Sequence, residues 1–175
     1  MEKRKTQSSY MVLGYKSPPR MENESYIFDI IAAILGRGQS GWIFNEIRNK
    51  HGLSYQTGVQ SENEFDYGTF AVYAGLNKKN IPKAEQLILG QFKKLQRITK
   101  KELNDAKTYI EGHHALEMED NFQNADNAAF WESIEDAHLA QSYVSEIKKV
   151  TIEDVKDAAK KYLNDSYTFV AIEEE

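Results

Sequence analysis

The sequence predicts an α+β fold: a mostly antiparallel sheet of about four strands covered by about six helices. Three observations predict it. Strand-like and helix-like stretches are segregated along the chain, where a parallel α/β sheet would alternate them. Tyr55, Thr57 and Val59 alternate with a period of two, as do Phe70, Val72 and Ala74, on either side of a polar loop at 62–66. That pattern reads as an antiparallel hairpin. Of 175 residues, 41% are hydrophobic and 28% charged, with 10 Gly and 3 Pro, a composition that fills one domain-sized core.

The elements follow in order. Residues 10–15 form a short apolar run closed by Lys16, Ser17, Pro18 and Pro19, the mark of a buried strand with a hard stop. Ile27, Ile30, Ile31, Ile34 and Leu35 recur at helical spacing and predict a helix over 22–36. A second helix is expected over 41–50, with Ile43, Phe44 and Ile47 inward and Gly52 just beyond its end. After the hairpin the pattern turns helical. Ala84, Leu87, Ile88, Phe92 and Leu95 share one face, and Thr99 with Glu102 makes a capping box for a helix running toward Glu117. Residues 122–150 are helical with weaker phasing. Thr151 and Asp154 cap a final helix, and residues 167–172 supply a closing strand. No repeat or linker interrupts the series, so residues 1–175 are expected to form one domain, with 1–6 and 173–175 flexible.

Composition excludes several kinds of chemistry. With 22 basic against 27 acidic residues the net charge is −5, which speaks against a general affinity for nucleic acid. Zero cysteines exclude disulfides, a thiolate nucleophile and Cys-ligated metals. No apolar run approaches the length of a membrane span, and the run behind Met1 is too short for a signal core. These absences favour the cytoplasm without fixing the compartment, and Met1 is equally compatible with a cut in a longer chain.

The segment Gly36-Arg37-Gly38-Gln39-Ser40-Gly41 satisfies G-x-G-x-x-G, but a helical stripe precedes it where a dinucleotide site needs a strand. A tight helix–helix turn is the better expectation. His114, Glu117 and Met118 fall one residue short of the inverted zinc motif H-x-x-E-H, since methionine cannot replace the second imidazole. His113 and His114 are adjacent and diverge by about 100° on a helix, which reads as a helix-surface pair. His51 suits a helix C-terminus, His138 has no evident partner, and runs such as 117–120 read as solvated surface.

The most specific pattern runs from Leu35 to Tyr55: a glycine-rich turn, then Ile43-Phe44-x-Glu46-Ile47-Arg48, three residues, and Gly52-Leu53-x-Tyr55. This segment resembles the second-half domain of the pitrilysin/insulinase superfamily, which includes mitochondrial processing peptidase and many microbial zinc proteases. Gln7 with the first strand, Asp66–Phe70 in the hairpin, Thr99 to Lys107 and Thr151 to Val155 carry weaker matches in the same order. Two departures stand out. Ser40, Gly41, Trp42 and Ile43 replace the family's usual Ser-Ser-Arg-Leu, and the helix over 22–35 lacks the histidines of a zinc half.

The resemblance implies a processing-peptidase-like half-domain that is inactive alone because H-x-x-E-H is absent. It implies no metal in this chain, zinc in a partner half-domain, and metal-assisted hydrolysis of peptides in the assembled clamshell. The partner half would belong to the same longer chain or to a separate subunit. Arg48 and Tyr55 then occupy the positions of the family's substrate-binding and transition-state residues: the guanidinium orienting the peptide, the phenol donating to the oxyanion. Spacing alone leaves a plainer alternative, in which Arg48 caps a helix and Tyr55 is a core aromatic. The rival to a working peptidase half is an inert scaffold or assembly subunit of the same fold.

Overall fold

The computed structural model describes residues 8–173. Four strands, β1 (Ser9–Ser17), β2 (Ser54–Asn63), β3 (Gly68–Leu76) and β4 (Thr168–Ile172), form one sheet in the order β2-β3-β1-β4, and every pairing is antiparallel. The α+β prediction holds. Two long-range pairings build the sheet: β1 lies between β3 and the distant C-terminal β4, with Val12 opposite both Tyr73 and Val170. Gln7 and residues 1–6 of the sequence-based expectations, and residues 174–175, lie outside the described residues. Glu173 is held by Lys78, 2.8 Å away.

Helices cover one face of the sheet. They are α1 (Glu24–Gly36), α2 (Trp42–Phe44, widening to a π-type turn over Asn45–Lys50), α3 (Ile81–Lys94), α4 (Lys100–Glu117), α5 (Asn121–Ile134), α6 (Tyr143–Lys149) and α7 (Ile152–Tyr162). The weakly phased stretch 122–150 divides into α5, a 3-10 turn over Ala137–Ser142, and α6, giving seven helices instead of about six. Its phasing is weak because α5 buries only Trp131 and Ile134. Capping boxes open α4 and α7 as expected: Glu102 and Asp154 bond back to the backbone N–H groups of Thr99 and Thr151, each at 2.8 Å. Each such cap contributes about 1 kcal/mol.

α1 is the centre of the packing. Phe28, Ile30, Ile31, Ile34 and Leu35 are all but fully buried, and the helix touches β2, α2, α4, α6 and α7. A helix apolar on most of its circumference belongs inside a fold. On the sheet, Met11, Leu13 and Tyr15 of β1 and Phe70, Val72 and Ala74 of β3 alternate inward against it. Tyr10, Val12, Tyr73, Val170 and Ile172 point to the opposite face and remain between 38% and 55% exposed.

α1 carries two carboxylates, Glu24 in its first turn and Asp29 in its middle. The Asp29 carboxylate takes a two-pronged bond from Arg20, at 2.8 and 3.2 Å, and a third from the Tyr143 hydroxyl at 3.1 Å. The guanidinium lies 5.4–5.8 Å from the ring centres of Tyr26, Trp131 and Tyr143. Burial works against the charge on Arg20, but Asp29 outweighs it and raises the net proton affinity. Burial, reinforced by Asp29, keeps the Tyr143 phenol protonated well above its ordinary range.

The last residue of α1 meets β2 without a side chain between them. A Cβ at Gly36 would sit 2.6 Å from Cβ of Val59, an atom that cannot swing away. Gly36→Ala is therefore expected to force α1 off β2 and lower stability by about 1–3 kcal/mol. Chemical denaturation should show a lower midpoint at unchanged slope; an unmoved midpoint would mean that the helix–strand spacing is slack.

Candidate functional site

Arg48 and Tyr55 meet at one end of the sheet, where β2 begins. Arg48 lies in the widened turn that ends α2. Gly52 then reverses the chain with φ of +58°, a conformation that costs most residues about 1–2 kcal/mol. Two backbone bonds close the reversal, from Gly52 to the Arg48 carbonyl and from Leu53 to the Ile47 carbonyl, both 2.9 Å.

The strand then begins with an irregularity. Ser54 pairs with Leu76 and Gln56 with Gly75, so Tyr55 is an extra residue in a β-bulge. The alternation Tyr55, Thr57, Val59 predicts one shared face; the bulge breaks that phase, and Tyr55 is 89% exposed. The buried Ser54 hydroxyl fixes the bulge. It lies 2.7 and 2.6 Å from the carbonyl oxygens of Gln56 and Gly75 and accepts the Gln56 N–H at 3.1 Å.

Arg48 is held from two sides. Its guanidinium lies 5.0 Å from the ring centre of Phe44, one helical turn earlier, and 5.8 Å from that of Tyr55. Nη1 donates to the Tyr55 carbonyl at 3.5 Å. Phe44 is thus a half-buried platform and not the inward core residue that its position suggests. Its spacing of four from Arg48 is the one signal that could have marked it. Ser54 carried no such signal, since a bulge leaves no periodicity to read. Beside Tyr55 is a shallow cavity of about 240 Å³, lined also by Ser8, Tyr10, Ser54 and Asn77.

The glycine segment behaves as expected for a turn. Gly36 ends α1, Gly38 has φ of +45°, and Gly41 leads into α2, so helix joins helix with no strand before the motif. His51 lies 3.3 Å from Glu46 and His113 3.2 Å from Glu117. His138 has a partner after all, Asp136 at 2.8 Å. A larger cavity of about 370 Å³ lies between α1, β2 and α4, with Asp29, Arg37, Ser61, His113, His114 and Glu117 on its walls. The two imidazoles diverge there, His113 toward the Tyr109 ring and His114 toward that of Tyr143. Among the described residues no group of three or more His, Asp or Glu could hold a metal ion, so these side chains do not fit a zinc site. No helix of the described residues is long and apolar enough to cross a membrane.

The family model described as the peptidase M16 inactive domain matches residues 1–110. The chain belongs to this family. An M16 inactive domain with these features has relatives named as zinc proteases. One from Bacillus subtilis is 22% identical over 173 residues, covering 97% of this chain and 42% of its own. One from Mycobacterium leprae is 27% identical, covering 94% of this chain and 38% of its own. This M16 chain therefore spans about two fifths of the length of such relatives.

Solved structures agree on the fold. A Helicobacter pylori protease superposes with a TM-score of 0.86 at 22% identity, over 95% of this chain and 41% of that one. An inactive peptidase domain from Bordetella parapertussis gives 0.85 at 18% identity, over 97% and 94% of the two chains. The same fold occurs in complex III2 of Candida albicans, with a TM-score of 0.83 at 16% identity over 96% of this chain and 43% of that one.

Ser54→Ala removes the hydroxyl that closes the bulge and leaves one of the two carbonyls it can serve, and the Gln56 N–H, short of a partner. The expected loss is about 1–3 kcal/mol of stability. Amide exchange at Gln56 should accelerate with it; unchanged exchange would show that the bulge holds without Ser54.

Proposed function

We propose that residues 1–175 form the substrate-binding, non-zinc half of a zinc metalloendopeptidase, which closes as a clamshell on a zinc-bearing half. The observation that supports this best is the pair at the start of β2: a guanidinium steadied by Phe44 beside a phenol that a bulge turns out to solvent. A bulge beside a chain reversal is a common way to re-aim a side chain at a reacting group.

In this reading the free guanidinium donors of Arg48 hold carbonyl oxygens of the bound peptide in a fixed orientation. The Tyr55 hydroxyl donates to the oxygen on which negative charge develops during cleavage. Among the described residues β2 pairs only with β3 in the sheet, so its outer edge can extend a peptide by strand addition. Zinc resides in the other half, and the present side chains act on the peptide alone. The rival is an inert scaffold, the use to which an assembly such as complex III2 could put the fold. An exposed phenol in a serine-braced bulge is more than a scaffold needs, which favours the peptidase half.

Reconstitution with a zinc-bearing half decides between them. Peptide hydrolysis should appear, and Arg48→Ala or Tyr55→Phe should each lower kcat/KM at least about tenfold, or about 1.4 kcal/mol, with folding unchanged. Wild-type rates in both variants would leave the scaffold standing. Metal analysis of the chain alone should find no stoichiometric zinc.

A further inference from the structure

The cavity of about 370 Å³ is a groove that runs lengthwise beside β2. α1 touches both β2 and α4 and forms its floor, where Ala32, Ala33 and Gly36 give it depth. Val59 and Ser61 of β2 make one wall and α4 makes the other. Two contacts fix the direction. Val59 meets Gly36 at the end of α1. Just past the far end of β2, the Glu64 carbonyl accepts from the backbone of Arg20, whose side chain holds Asp29 nearer the start of α1. Strand and helix therefore lie antiparallel with the groove along them. Among the described residues, β3 is the single neighbour of β2 in the sheet.

Arg37, the residue after α1, lines this groove at the Val59 end. Its side chain is only 15% exposed, and its Nε is buried with no partner. Asp105 of α4 stands 3.8 Å from Nη2, close enough to attract but beyond a hydrogen bond, and is itself 45% exposed. Among the described residues the guanidinium makes no hydrogen bond at all. Folded proteins rarely leave so strong a donor group unanswered below the surface. The other charges along the groove are engaged, Asp29 by Arg20 and Tyr143, and Glu117 by His113. His114 packs its ring toward Tyr143. The charge left without an acceptor is thus positive, and it belongs to Arg37.

We propose that this groove takes an acidic side chain of a peptide laid along the outer edge of β2, with its carboxylate on Arg37. The inference rests on the reading of that edge as a peptide-binding strand and adds which peptides it selects. Alternate side chains of an added strand face the helices, so every second one points into the groove beside Val59 and Ser61. A carboxylate matches the planar fork of a guanidinium and supplies the missing acceptors. An amide of the same shape brings one acceptor oxygen and no charge, and a basic side chain is repelled. Val59 is four residues past Tyr55, or about 13 Å along a strand. The acidic residue therefore falls about four positions from the peptide bond that Tyr55 would address.

Fluorescence anisotropy of the 175-residue chain tests it, with labelled heptapeptides of threonine and valine that carry a central glutamate, glutamine or lysine. The glutamate peptide should bind at least about tenfold more tightly than the glutamine peptide. Arg37→Gln should level the two, with thermal unfolding showing that the variant is folded. Arg37→Glu should reverse the preference toward the lysine peptide, a gain that a misfolded chain would not give. Equal affinities in the unaltered chain, a preference that survives Arg37→Gln, or no binding of any peptide overturns the proposal. So does displacement of the glutamate peptide by an equal concentration of glutarate, which would mark a site for free small acids. The two readings fail separately. Hydrolysis by the reconstituted enzyme that depends on Arg48 and Tyr55 but not on the central residue keeps the peptidase half and overturns the acidic groove. Selection through Arg37 without any hydrolysis keeps the groove and removes the peptidase.

Discussion

The carboxylate of Asp29 sets the terms for much of this fold. It stands on the most deeply buried helix, and a lone charge there would cost several kcal/mol. The fold meets that cost by drawing in Arg20 from the loop after β1 and the hydroxyl of Tyr143 from α6, and by seating the guanidinium among Tyr26, Trp131 and Tyr143. Three separate stretches of chain, residues 18–23, α1 and α5–α6, are thereby fixed to one another. A pair of this kind adds little net stability over apolar packing, yet removing one partner typically costs about 3–5 kcal/mol. Its contribution is to specify one arrangement. The thinly packed α5, with two buried residues, is held in place largely through Trp131 at this cluster.

The candidate site lies at the other end of β2 and is organised by backbone geometry. A positive φ at Gly52, a bulge at Tyr55 and the hydroxyl of Ser54 together determine where two polar tips emerge. Because α1 packs directly on Val59 through Gly36, β2 is anchored at its middle, and the irregularity is confined to its first residues. A strand anchored at its middle thus holds its displaced first residues in a fixed relation to the sheet.

Much of this was legible in the sequence, for identifiable reasons. The α1 stripe, the hairpin, both capping boxes and the glycine turn each rest on short-range rules that a window of residues expresses. The order β2-β3-β1-β4 does not, since nothing local to Tyr10 or Val170 says that they are neighbours. Residues 122–150 blurred because α5 is mostly exposed and its apolar residues answer to no core. At the site, the chain reversal that brings Arg48 beside Tyr55 was legible from their spacing across Gly52, while the bulge was not. Alternation at Tyr55, Thr57 and Val59 even pointed the wrong way, because a single inserted residue reverses the face of everything before it. His138 found Asp136 only two residues off, a pairing that depends on the extended backbone of Asp136 as cap of the 3-10 turn.

The same irregularity has a protective side. As a border of the sheet with unpaired main-chain groups, β2 could template the stacking of strand upon strand that leads to insoluble assemblies. The bulge at Tyr55 spoils the flat, regular register such stacking requires, and the charged Glu62 near the far end of the strand discourages it further. A ragged border of this kind refuses an endless succession of its own copies.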